Sequence, residues 1–130
     1  MTKYAIQTEN APIAAGPYSQ GVRSGAIVVV SGQLPIDTTT GSLISDDIGT
    51  ATRLCLENTE AILAKGGADL DDLVQITIYL ANIDDFGAMN TAYSEFFSDA
   101  SITPARVCIE VAALPKGARI EIAAMAHVLR

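Results

Sequence analysis

The chain has 130 residues, 49% of them hydrophobic and 18% charged, which suits one domain spanning residues 1–130 and excludes wholesale disorder. Eight basic residues stand against fifteen acidic ones, a formal net charge of −7. That balance offers no basic stripe to a nucleic-acid backbone or an anionic membrane surface. The opening residues, MTKYAIQTENAP, lack the apolar run and cleavage site of a secretory signal, and Gly16-Pro17 marks the first turn. Tyr18–Val22 and Ala26–Ser31 read as strands turning at Ser24-Gly25, and Gly32 to Asp47 reads as loop.

Asp46 or Asp47 is placed to cap a helix in which Ile48, Ala51, Cys55, Thr59, Ile62 and Leu63 recur at helical spacing, with Gly66-Gly67 as its stop. Leu73–Ala81 alternates as a strand, with Val74, Ile76, Ile78 and Leu80 on one face and Gln75, Thr77 and Tyr79 on the other. Asp84 or Asp85 should cap a second helix, whose buried stripe is Phe86, Met89, Asn90, Tyr93, Phe96 and Phe97. Arg106–Ala112 and Arg119–Leu129 follow as strands around Leu114-Pro115-Lys116-Gly117. The order ββ(β)αβαββ, with one apolar face per element, predicts a two-layer α+β domain, helices packed on one face of its sheet.

The last two strands hold the informative residues. If they form an antiparallel hairpin with Val107, Ile109 and Val111 under the helices, then Arg106, Cys108, Glu110 and Glu121 share the other face. Such a face is too apolar for solvent and too charged for a core, which predicts a subunit interface enclosing a polar pocket. Arg106 can fork onto a carboxylate, or pair structurally with Glu110 or Glu121. Glu121, between Ile120 and Ile122, is either a desolvated carboxylate suited to moving protons or the partner of Arg106 or Arg119. Cys108 lacks an accompanying base and reads as a small pocket residue, and Cys55 as core. Asn90 interrupts an apolar stripe and must find hydrogen-bond partners, in the site or in a loop. Tyr18 reads as ordinary packing.

Some patterns lead nowhere. Asp85-Phe86-Gly87 has no phosphate loop beside it, and Ser31-Gly32 lacks the nucleophile-elbow pattern. One histidine, His127, and two cysteines are too few for a metal cluster or disulfide framework, so a reducing, cytoplasmic chain without metal is expected.

Four segments together carry a family resemblance. Pro104–Ile122, P-A-R-V-C-I-E-V-A-A-L-P-K-G-A-R-I-E-I, resembles the signature of the RidA (YjgF) family of reactive-intermediate deaminases. E-N-A-P-I-A-A-G-P-Y-S-Q-G, V-S-G-Q-L-P-I-D and D-D-F-G-A-M-N-T-A-Y-S-E-F-F are similar to that family as well, so the resemblance covers nearly the whole chain. It implies a chorismate-mutase-like fold assembled as a homotrimer, with sites in clefts between subunits. It also implies hydrolysis of 2-iminobutanoate and 2-iminopropanoate, the enamine and imine products that pyridoxal-phosphate-dependent dehydratases release from threonine and serine. By the same resemblance Arg106 would bind the substrate carboxylate and Glu121 would position or activate water. Tyr18, Ser31, Gly32, Asn90 and Cys108 would line the pocket, and neither metal nor cofactor would be needed. Two other readings stand beside it: a non-enzymatic sensor of small carboxylates such as 2-oxo acids, which would not need Glu121, and a ribonuclease or translation inhibitor, which the acidic chain disfavours.

Overall fold

Six strands and two α-helices, with three single-turn 3-10 helices between them, make up the computed structural model, which describes residues 2–130. In chain order they are β1 (Tyr4–Ile6), β2 (Gly21–Ser24), β3 (Ile27–Gln33), α1 (Ile48–Lys65), β4 (Leu73–Leu80), α2 (Phe86–Phe96), β5 (Ala105–Glu110) and β6 (Ile120–His127). The strands form one mixed sheet in the order β1-β2-β3-β6-β4-β5. All neighbours are antiparallel except β4 and β5, which α2 joins as a crossover and which therefore run parallel. No described helix is long and apolar enough to cross a membrane.

Helix α1 starts where the sequence marks it. Asp47 has extended backbone and its carboxylate accepts from the Thr50 amide at 3.1 Å, satisfying one of the orphan donors of the first turn. Gly67, at φ +85°, carries the chain out of the last turn. The face of Ile48, Ala51, Cys55, Thr59, Ile62 and Leu63 is buried as its spacing predicts. Under both helices Val28, Val30, Ile76, Ile78, Leu80, Ile120 and Ile122 form the sheet side of the core. Each such side chain removed from water contributes roughly 1.5–3 kcal/mol.

Helix α2 departs from expectation at its start. Asp85 occupies the cap position but makes no capping bond, because its carboxylate is engaged by Arg119 at 2.7 Å. Phe86, expected in the buried stripe, stays 39% exposed, while Met89, Tyr93 and Phe97 are buried.

The strands bring larger corrections. β1 has no counterpart in the sequence reading, because three residues pairing at an edge leave no periodic signal. β2 begins at Gly21 rather than Tyr18. The Tyr18 amide turns back onto the Gly16 carbonyl, and the buried Gln20 amide donates to the carbonyls of Thr8, Ala11 and Pro12. Those bonds hold the segment as a bend. β3 runs on through Gly32 to Gln33, and in β4 a bulge turns Leu73 into the core and Val74 outward.

The expected β5–β6 hairpin does not exist. The two strands run in opposite directions, but β4 lies between them. Register then settles the faces. Arg106, Cys108 and Glu110 pair with Ile76, Ile78 and Leu80 and share their helix-covered face. Val107 and Ile109 pair with Thr77 and Tyr79 on the open face, each 45% exposed. The face assignment is thus reversed from the one read in the sequence. The physical reason is that β5 is an edge strand only partly roofed by α2. Its helix side tolerates polar groups, and its aliphatic set lines an uncovered sheet face.

Candidate active site

Two clusters hold the chemistry-bearing residues, one on each side of the sheet. The first sits between β5 and α2. Arg106 rises toward the helix, where its Nη1 donates to Asn90 Oδ1 at 2.8 Å. Its guanidinium carbon lies 4.8 Å from the Tyr93 ring centroid and 5.6 Å from that of Phe86. Beside it opens a pocket of about 340 Å³, lined by Asn90, Tyr93, Phe97, Thr103, Pro104 and Arg106.

No carboxylate neutralises Arg106 among the described residues. The structural pairings weighed from sequence fail one by one. Glu110 accepts instead from the Ile83 amide at 2.8 Å, and Glu121 lies on the opposite sheet face. Arg106 is therefore a half-buried cation held by an amide and two rings, with hydrogen-bonding capacity left over. A planar fork in that state is a receptor for a carboxylate. Asn90, which sequence left between site and loop, serves Arg106 directly.

Cys108 lies two residues on, partly buried against the core on the Arg106 side. Burial pushes its thiol up, and the opposing effect of the Arg106 charge is the smaller one. A thiol held protonated is a poor nucleophile, and Cys108 packs against the core without lining the pocket beside Arg106. Cys55 is fully buried.

The second cluster lies on the open side, where β3 meets β6. β3 bulges between Val30 and Gln33, and the bulge brings the Gly32 backbone against the Glu121 carboxylate. A Cβ at Gly32 would collide with that carboxylate, so only glycine leaves the space Glu121 occupies. Ser31 fixes the adjoining loop: its hydroxyl donates to the Ser19 carbonyl at 2.6 Å and its amide to the Gln20 carbonyl at 2.9 Å. Tyr18 stands at the rim, 53% exposed, its hydroxyl accepting from the Ala15 amide. An open cleft runs along Tyr18, Ser31, Gly32, Lys116 and Glu121.

Glu121 has no cationic partner among the described residues. Arg119, the other candidate, is committed to Asp85 and to the Ser45 carbonyl. Burial raises the Glu121 carboxyl above the ordinary glutamate range, which makes its carboxylate a better proton acceptor than an exposed one.

The structure thus gathers Arg106, Asn90 and Cys108 in one place and Tyr18, Ser31, Gly32 and Glu121 in another. It does not bring the two sets together within one chain. Sequence reasoning missed Phe86 and Tyr93 as neighbours of Arg106, although their i and i+7 spacing around Asn90 puts all three on one helical face. It also missed Gln20, whose position before a strand gave no sign of its three carbonyl contacts.

Comparison with known proteins agrees with this architecture. Residues 8–128 match the family model described as Endoribonuclease L-PSP. A 2-iminobutanoate/2-iminopropanoate deaminase of Salmonella typhimurium is 45% identical over 122 residues, covering 93% of this chain and 94% of that protein. The YjgF gene product of Escherichia coli superposes with a TM-score of 0.92 at 41% identity, over 98% of this chain and 99% of that one. Escherichia coli TdcF with bound serine superposes with a TM-score of 0.91 at 39% identity, over 95% and 98%.

Proposed function

This chain belongs to the Endoribonuclease L-PSP family, the family of the YjgF and RidA proteins, and from that premise we propose that it hydrolyses 2-imino acids at a site completed by a second copy of itself. It is an imine deaminase, a hydrolase acting on C–N bonds. The finer reading is that its substrates are 2-iminobutanoate and 2-iminopropanoate, released by pyridoxal-phosphate-dependent dehydratases in the cytoplasm. The observation that carries it is the unpaired Arg106 fork beside an open pocket.

In this reading the substrate carboxylate takes the free edge of Arg106, whose charge also draws electrons from the adjacent C=N carbon. Glu121 of a second copy holds a water molecule, removes one proton as the oxygen attacks that carbon, and so helps form a carbinolamine. That proton goes to the nitrogen, giving the neutral carbinolamine; the carboxylate then passes the hydroxyl proton to the nitrogen as the C=O forms, and the C–N bond breaks to release ammonia. One water is consumed, and one 2-oxo acid and one ammonia result. Holding water and carboxylate substrate together removes much of the entropic barrier. Asn90 keeps the fork in plane, Cys108 fills space beneath it, and Tyr18, Ser31 and Gly32 shape the water side.

The placement of Arg106 and Glu121 on opposite sheet faces supports assembly. So does the open face itself, where Val29, Val107 and Ile109 are 44–45% exposed. An aliphatic sheet surface of this kind favours burial against another subunit. A homotrimer, three times the 13.6 kDa chain, closes three such sites at once. The serine bound to TdcF fits a site that receives small carboxylates.

The family description names an endoribonuclease, yet the net charge of −7 and the lone His127 favour the imine reading. A bare carboxylate sensor would leave the partly buried Glu121 without a task. The test is a coupled assay: threonine dehydratase converts threonine to 2-iminobutanoate, and the appearance of 2-oxobutanoate is followed with this protein or with its Arg106→Ala variant. Acceleration by the wild type alone supports the proposal, and equal rates in all samples would sink it.

A further inference from the structure

Arg106 is held on its helix side by more than the Asn90 amide. Phe86, Asn90 and Tyr93 on α2, with Phe97 at its C-terminal cap, follow one another at i, i+4, i+7 and i+11 and so share a face. The guanidinium carbon stands 4.8 Å over the Tyr93 ring and 5.6 Å over the Phe86 ring, both within the range of a cation–π contact. The Tyr93 ring is in turn fixed by Phe97, 4.8 Å away with the planes tilted at 44°, and Phe97 is braced edge-on by Phe96. The side chain that would bind substrate is therefore aimed by an aromatic stack running along the helix.

The contact between Tyr93 and Arg106 is made by the ring face. The Tyr93 hydroxyl is buried and has no hydrogen-bond partner among the described residues. Within the chain, Tyr93 therefore meets Arg106 through its ring and not through its hydroxyl. What Tyr93 supplies is its ring face, laid against a cation that lacks a carboxylate.

We propose that Tyr93 and Phe86 are positioning residues for the deamination: their rings hold the Arg106 guanidinium in the plane in which its free edge meets the substrate carboxylate. This rests on the proposed role of Arg106. The rings act on carboxylate binding, in ground and transition states alike, so their loss raises KM and leaves kcat nearly unchanged. A merely structural role would lower thermal stability and active fraction without moving KM.

The experiment compares Tyr93→Leu, Phe86→Leu and Tyr93→Phe with the wild type, full-length and assembled. Each is titrated calorimetrically with 2-oxobutanoate and assayed for imine hydrolysis. Both leucine variants are expected to weaken 2-oxobutanoate binding and raise KM by roughly tenfold, as loss of a partly desolvated cation–π contact implies, with kcat within about twofold. Tyr93→Phe keeps the ring, removes the orphaned hydroxyl, and should restore wild-type affinity. Wild-type Kd and KM in the leucine variants would overturn the proposal. So would a Tyr93→Phe variant as weak as Tyr93→Leu, since the hydroxyl would then be the active group. Should Tyr93→Leu fail to fold, Phe86→Leu carries the test from a position 39% exposed. A wild type that binds 2-oxobutanoate without hydrolysing the imine would refute the deaminase reading, while the affinity ratios would still decide the role of the rings.

Discussion

Arg106 and Glu121 leave the same sheet from opposite faces: Arg106 shares its side with Ile76 under the helices, Glu121 shares the open side with Tyr79. If both act in one reaction, each site draws on two copies. Arg106→Ala and Glu121→Gln, each prepared alone, should both lose roughly a hundredfold or more in rate. Unfolded together and refolded as a mixture, they should regain activity. In a randomly mixed closed trimer roughly a quarter of the interfaces pair an intact Arg106 with an intact Glu121. Recovery near that fraction, read in the coupled assay, is the expected result. No recovery from mixed assemblies of normal size would mean that the site lies within one chain.

Much of this arrangement was legible in the sequence, and the exceptions have physical causes. The α1 cap at Asp47, its stop at Gly66-Gly67 and the core alternation of β6 were readable, because each depends on local chemistry or on a strand buried on one side. The order of strands was not, since nothing in β5 or β6 announces that β4 intervenes. The face of β5 was misread for a related reason. Val107 and Ile109 are the more apolar set, and within one chain they would be expected in the core. They are instead on the open side, where only assembly could bury them. Strand periodicity placed Arg106, Cys108, Glu110 and Glu121 on a single face, whereas the register puts Glu121 on the face opposite the other three. The separation of Arg106 from Glu121 becomes visible only with the register.

Cys108 offers a separate check on the water mechanism. Its thiol is held protonated by burial despite the neighbouring Arg106. Cys108→Ser should keep hydrolysis within about tenfold of wild type, the loss reflecting repacking rather than missing chemistry. Intact-mass spectrometry during turnover should show no adduct on the wild type. A covalent species on Cys108, together with an inactive but folded Cys108→Ser variant, would replace Glu121-activated water with a thiol nucleophile.

Gly32 should prove critical for activity while contributing little to stability. A methyl group there would meet the far end of the Glu121 side chain, which can swing aside at small cost to the fold. Gly32→Ala should therefore assemble and melt much like the wild type, yet lose at least tenfold in rate as Glu121 moves from the position in which it is proposed to hold water. Arg106 is untouched, so affinity for 2-oxobutanoate should be preserved. An alanine variant with wild-type turnover would show that the position of Glu121 over Gly32 is immaterial.

Glu121→Gln separates chemistry from binding and also predicts a stability change of defined sign. Burial raises the carboxyl pKa in the folded protein above its unfolded value. The folded state therefore favours the protonated form, and the stability this contributes is present at low pH. It is lost as pH rises through the raised pKa, so the ionised carboxylate is a burden at neutral pH. The neutral amide removes that burden. Glu121→Gln should melt higher than the wild type at pH 7, and the difference should shrink as the pH falls toward 4. Turnover should move the other way. The wild-type rate should decline on the acid side with a midpoint above the ordinary glutamate value, because only the ionised form accepts the proton from water. The amide variant should be slower by roughly a hundredfold with no such limb, while still binding 2-oxobutanoate. A glutamine variant that is less stable than the wild type at pH 7 and has lost affinity for 2-oxobutanoate would assign Glu121 a structural role. One that retains both affinity and turnover would remove it from the mechanism.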